Sequence, residues 1–262
     1  MHDSPAIDVK QVCRHSCLTF LAVCFMPVAA AAAAANSCVD CHAVAASRPL
    51  RDSHAVWEGS IHARLHVACE DCHAGNPREV DKGSAHQGVY GAMNPRSTVY
   101  YTKIPGLCGQ CHKREFLDFQ SSSHYRSLIS QGTGPDCIAC HDAMATKVIG
   151  AAAIAKLCGV CHNPGNRNLP EVGALARDIL SRMAGIDWKI AQVREKLKVA
   201  GRQGVNQNKA SGFLNLASRE LRDCKANWHT FQLQRMAARL DGVDSLVQKA
   251  LDSLEDHKAG AQ

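Results

Sequence analysis

The sequence predicts a mainly α-helical protein in two parts, a loop-rich front and a tail of long helices, and three observations lead there. Prolines recur along the front, at Pro49, Pro77, Pro95, Pro105, Pro135, Pro164 and Pro170, and none follows. Because proline ends or kinks a helix, that stretch must be short helices joined by loops. After Pro170 apolar residues return every three to four positions, the period of one helix face. Aromatic residues make up only 5% of the 262, which is little with which to fill a core. The front is therefore expected to take apolar bulk from something other than side chains.

Residues 1–35 read as a secretory signal peptide. Lys10, Arg14 and His15 form a weakly basic start, an apolar run follows from Cys17, and the alanine tract Ala29 to Ala35 offers small-x-small cleavage sites before Asn36. A retained membrane anchor is the alternative, since the run approaches a bilayer-spanning length. The alanine-rich end and the nearby first cysteine motif favour cleavage. Valine before Cys24 fits a lipoprotein signal poorly. Cys13, Cys17 and Cys24 should leave with the signal. No later segment is apolar enough to cross a membrane, so a periplasmic protein, soluble or peripherally attached to a membrane, is expected.

The front, residues 36–170, carries the chemistry. Cys-x-x-Cys-His occurs five times: Cys38, Cys41 and His42; Cys69, Cys72 and His73; Cys108, Cys111 and His112; Cys137, Cys140 and His141; Cys158, Cys161 and His162. Two thiols at this spacing can each add to one vinyl group of a single haem, and the next histidine then ligates the iron from its proximal face. Zinc sites also use Cys-x-x-Cys pairs, as do redox dithiols of the thioredoxin type. Neither chemistry needs histidine at the same offset five times, and five pairs divide awkwardly into four-cysteine zinc sites. The motifs therefore predict five covalently attached c-type haems, with porphyrins as the missing core. Only Cys224 stands outside them after the signal, and it is expected to be a packed, inert thiol.

Each iron has a sixth position, and what fills it separates a carrier from a catalyst. Seven histidines after the signal lie outside the motifs: His54, His62, His66, His86, His124, His229 and His257. Five would close every haem. The distal candidates are His54, His62, His86, His124 and His229, with His66 as the alternate to His54. His257 lies near a charged end. Met93 and Met144 are less economical candidates with so many histidines at hand.

The tail, residues 171–262, reads as an antiparallel helical hairpin. Val172, Leu175, Ile179, Met183, Ile186, Ile190, Val193 and Leu197 form one stripe. Gly201 and Gly204 end it. A second stripe runs through Leu214, Ala217, Leu221, Cys224, Trp228 and Phe231, then shifts phase to Met236, Leu240, Val243, Val247, Ala250 and Leu254. The short connection favours antiparallel packing. The stripes fit a helical pair packed on the haem domain, or alternatively a homodimer surface.

The formal charge is +6, and it is unchanged by loss of the signal, which removes Lys10 and Arg14 together with Asp3 and Asp8. Haem propionates would offset much of it. No basic cluster with interleaved aromatics occurs, and nucleic acid is not an expected partner.

Gly59-Ser60-Ile61-His62 leading to Ala68-Cys69-Glu70-Asp71-Cys72-His73, and Cys111-His112 leading to Ser123-His124, resemble bacterial multihaem c-type cytochromes. The nearest flavour is the nitrite-reductase-related electron-transfer group with a helical C-terminal tail, and the resemblance spans about residues 36 to 255. It implies closely stacked, mostly bis-histidine haems passing electrons in the cell envelope. The implied partners are redox proteins, among them a membrane quinone-oxidising complex. One departure matters. The ammonia-forming nitrite reductases carry lysine in place of the motif histidine at the catalytic haem, whereas all five motifs here end in histidine. The expectation is thus an electron relay. The alternative is an oxidoreductase acting on a small nitrogen or sulfur compound at one open haem, with Tyr90, Tyr100, Tyr101 and Tyr125 available to line a pocket.

Overall fold

The computed structural model describes residues 36–143, 148–166 and 169–259. The expected signal peptide and Met144 lie outside them, as does the side chain of His257. Every regular element among the described residues is helical.

From Asn36 to Pro170 the helices are short, the longest being Arg48–Glu58 and Ala151–Cys161 at 11 residues each. Their starts are written locally. Asn36, Ser60, Asp81, Ser122 and Asp136 each accept a first-turn backbone N–H through the side chain. Pro49 and Pro105 sit in first turns, where the missing N–H costs nothing. Little apolar surface is buried here: Ile104, Phe119, Leu128 and Ile154 are covered, while Val44, Val80, Met93 and Val160 stay largely exposed.

The tail differs from the expected hairpin. The first tail helix, Val172–Arg202, buries Ile179, Met183, Ile186, Ile190, Val193 and Leu197, the stripe the period anticipates. The second, Asn208–Ala226, buries Leu214, Ala217, Leu221 and Cys224. It does not run on. A 3-10 turn at Asn227–Thr230 leads into Phe231, which is left-handed at φ 54°, and the chain reverses into a third helix, Leu233–Ala259. The phase shift before Met236 marks this reversal. Cross-helix pairs fix the directions: Arg239 with Glu220 at 2.8 Å, Arg194 with Ser218 at 3.0 Å, Lys225 with Asp187, and Lys189 with Asp244 at 2.8 Å. The second helix therefore runs antiparallel to the first and third, which run parallel to each other.

The ion pairs among these are about half-exposed and contribute little. The shared core carries the stability. Leu240, Ala217, Cys224 and Ala250 are completely covered, and burying a side chain the size of leucine contributes about 1.5–3 kcal/mol. Both stripes face one another inside one chain.

The bundle is continuous with the front. Ile154, on the helix that ends in the fifth motif, belongs to the bundle core. Gly173 permits the approach, for a Cβ there would lie 2.8 Å from the Ala155 carbonyl oxygen. The helix Lys113–Gln120 packs on the Asn227–Thr230 turn. Among the described residues no helix is long and apolar enough to cross a membrane.

Candidate cofactor site

The cysteine pairs sit on, or close off, short helices. Ser37–Ala43, Cys69–His73 and Cys137–His141 each hold a whole motif. Residues three and four apart share a helix face, so both sulfurs and the histidine project to one side. The third motif runs off the helix Ile104–Cys108, and the fifth ends the helix Ala151–Cys161, with His162 next. Asn36 caps the first motif and Asp136 the fourth. Asp71 accepts the Ala68 N–H at 2.7 Å before the second. After His73 and His141 the chain turns sharply through Ala74 (φ 62°) and Asp142 (φ 65°). Left-handed backbone is costly without glycine, and it occurs at the same point of two motifs.

All ten motif cysteines are free of disulfides. Burial pushes the thiols of Cys38, Cys72, Cys140 and Cys158 up, and that of Cys69 to about 11. Redox-active dithiols instead depress a thiol. Only Cys108 is lowered, through its hydrogen bond with Cys137.

Successive motifs are neighbours. Asn36 Nδ2 donates to both Glu70 carboxylate oxygens at 2.9 and 3.0 Å, joining first to second. Cys72 feels Cys108 and Cys111, joining second to third. The side-chain hydrogen bond between Cys108 and Cys137 joins third to fourth. Cys140 feels Cys158, joining fourth to fifth. Each motif thus neighbours the next in chain order.

Four pairs of imidazoles face each other, and each joins a motif histidine to one outside the motifs. His42 and His86 have ring centres 6.1 Å apart, His62 and His112 6.3 Å, His124 and His162 5.9 Å, and His141 and His229 6.1 Å. A metal bonded at about 2 Å to one nitrogen of each ring holds the two ring centres roughly 6 Å apart. Ordinary ring contacts span similar distances, so the distance alone decides nothing. Each pair joins one motif histidine to one outside the motifs, an arrangement that could hold a metal between two imidazoles.

The surroundings agree. His86 Nδ1 lies 2.8 Å from the Lys82 carbonyl. A carbonyl only accepts, so Nδ1 carries the proton and Nε2 keeps its lone pair for a metal. His124 and His229 are pushed below the usual imidazole range by burial first, then by His162 and His141 respectively. Neutral imidazole is the ligating form.

The second motif differs. Among the described residues no imidazole faces His73 across such a gap. His54 Nε2 is buried without a hydrogen-bond partner, beside Trp57 at 5.8 Å. His66 is exposed, left-handed at φ 60° and close to no other ring. Burial thus separates two histidines that local sequence leaves level, in favour of His54. Met93 is 87% exposed. The tyrosines do not converge on one pocket: Tyr100 stacks on Tyr101 at 4.7 Å, Tyr125 packs between Phe116 and Phe119, and Tyr90 is exposed.

The sequence places Phe231 in an apolar stripe but gives no sign of its contacts with the histidines. Its ring lies against His124, Phe119, Trp228 and His229. Among the described residues no three His, Cys, Asp or Glu side chains cluster as a multi-ligand metal site would need. An axial haem pair needs only two. Compared with known proteins, the chain matches no protein family, no curated protein and no solved structure.

Proposed function

We propose that the chain is an exported pentahaem c-type cytochrome of the periplasm, relaying electrons one at a time between its five neighbouring sites. The observation that carries this reading is the matching of four motif histidines with four others at 5.9–6.3 Å. Bound haem supplies one-electron oxidation and reduction.

The chain's own residues do the rest. Each cysteine pair, Cys38 and Cys41 through Cys158 and Cys161, anchors one porphyrin by two thioethers. His42, His112, His141 and His162 would each bind one iron, and His86, His62, His229 and His124 would supply the second imidazole. His73 would hold the second site, with His54 the remaining buried candidate, although the motif histidine that His54 acts on is His42. The nearness of each motif to the next supports a continuous path. The sparse apolar core between Asn36 and Pro170 supports a fold that porphyrins complete, since side-chain burial there is too small to offset chain entropy. The expected partners are soluble redox proteins and a membrane quinone-oxidising complex.

One observation favours a second reading. Because no described imidazole faces His73, the second site is where a small nitrogen or sulfur compound would reach an open iron. Electron paramagnetic resonance of the oxidised holoprotein, with haem counted per chain by mass spectrometry, separates the two. Five haems, all low-spin, support the relay. One high-spin haem in five that binds nitrite or sulfite supports the oxidoreductase. Fewer than five haems overturns both.

A further inference from the structure

The turn bearing His229 packs against the helix Lys113–Gln120, and two polar atoms are buried in this region with no hydrogen-bond partner: His229 Nδ1 and Asp118 Oδ2. Each such atom costs about 1–3 kcal/mol when left unmet. The two side chains act on each other. Burial pushes the Asp118 carboxyl up, while Arg114 and then His229 hold it down. His229 is lowered by burial and by His141 and His112, and is raised by Glu115 and Asp118. One orphan is an N–H donor when Nε2 is used for a metal, and the other is an acceptor.

We propose that Asp118 is a positioning residue for His229: its carboxylate accepts the Nδ1 proton, turning Nε2 toward His141 and strengthening it as a donor. This rests on reading His141 and His229 as the axial pair of the fourth site. The contrast lies within the molecule. His86 gives its Nδ1 proton to the neutral carbonyl of Lys82, whereas His229 would give it to a charged carboxylate. A charged acceptor pushes electron density onto the imidazole and favours the ferric state. The fourth site is therefore held at a lower potential than its ligand pair alone would set, and Asp118 sets that step.

The test uses the holoprotein with five haems verified by mass. Potentiometric titration followed by optical and paramagnetic spectra is run on the wild type, Asp118→Asn and Asp118→Glu. The expected result is that one haem in Asp118→Asn shifts to higher potential with altered low-spin g values, the other four stay in place, and Asp118→Glu moves back toward wild type. Five unchanged potentials and g values in a fully loaded Asp118→Asn overturn the inference. A general shift of all five in both variants also overturns it, since that is the mark of a merely structural role. His229→Gly tests the underlying reading separately. If it leaves every haem low-spin, His229 is not a ligand, whatever Asp118 does.

Discussion

The ring of Phe231 stands 4.7 Å from that of His124 at 65°, and 6.3 Å from that of His229. One residue thus buttresses two of the candidate distal imidazoles from a left-handed backbone that a bulky side chain rarely adopts. The reversal between the second and third tail helices puts it there.

The strain at Phe231 gives a prediction with an unusual sign. Phe231→Ala and Phe231→Gly both lose the buttress and should raise the high-spin fraction at two sites. Phe231→Gly should nevertheless be the more stable of the two by about 1 kcal/mol, because glycine accepts positive φ freely. Denaturant midpoints of the two holoproteins check the order. A more stable alanine variant would mean that the backbone relaxes when the ring is gone.

Substituting the distal candidates singly should convert one haem each. His62→Ala, His86→Ala, His124→Ala and His229→Ala are each expected to turn one haem in five high-spin. His66→Ala should change none. His54→Ala reports on the second site directly: a new high-spin haem makes His54 its sixth ligand, and an unchanged spectrum leaves that iron open.

Gly134 lies under the helix Ser123–Gln131. A Cβ there would fall 2.2 Å from the His124 carbonyl oxygen and 2.5 Å from the Leu128 backbone nitrogen. No side chain can yield, since both atoms are main chain. Gly134→Ala should cost about 1–3 kcal/mol and disturb the site of His162 more than that of His42. Spectra that change equally at both sites would count against the local account.

In the bundle, Leu240 is fully covered. Leu240→Ala should destabilise by about 2–5 kcal/mol through the cavity it leaves. Removing the exposed partner Lys189 from Asp244 should cost under about 1 kcal/mol. Urea unfolding of the two variants compares them, and similar losses would place the tail's stability in its ion pairs instead of its core.

Some of this was legible in the chain. The cysteine pairs and their histidines read directly, because their spacing is local. The stripe from Ile179 to Leu197 read directly because one straight helix keeps its period. The reversal at Phe231 did not, since Asn227-Trp228-His229-Thr230 contains neither glycine nor proline, and a phase shift inside one helix looks the same as a turn between two. The histidine pairing was hidden for another reason. Asp52-Ser53-His54 and Ser84-Ala85-His86 are alike in character, and only the path of the chain between them brings His86 against His42.

That path also sets a timetable. A chain made from its N-terminus completes each facing pair when the later member emerges: His86 first, then His112, then His162, and last His229. The fourth pair closes after the fifth, although its cysteines appear earlier, because His141 must wait for a residue at the turn between the second and third tail helices. A chain cut after Pro170 would keep the other three pairs and lose that one, so the long helices serve as more than a platform. They bring in the last member of the four histidine pairs, which no part of the chain before Pro170 can supply.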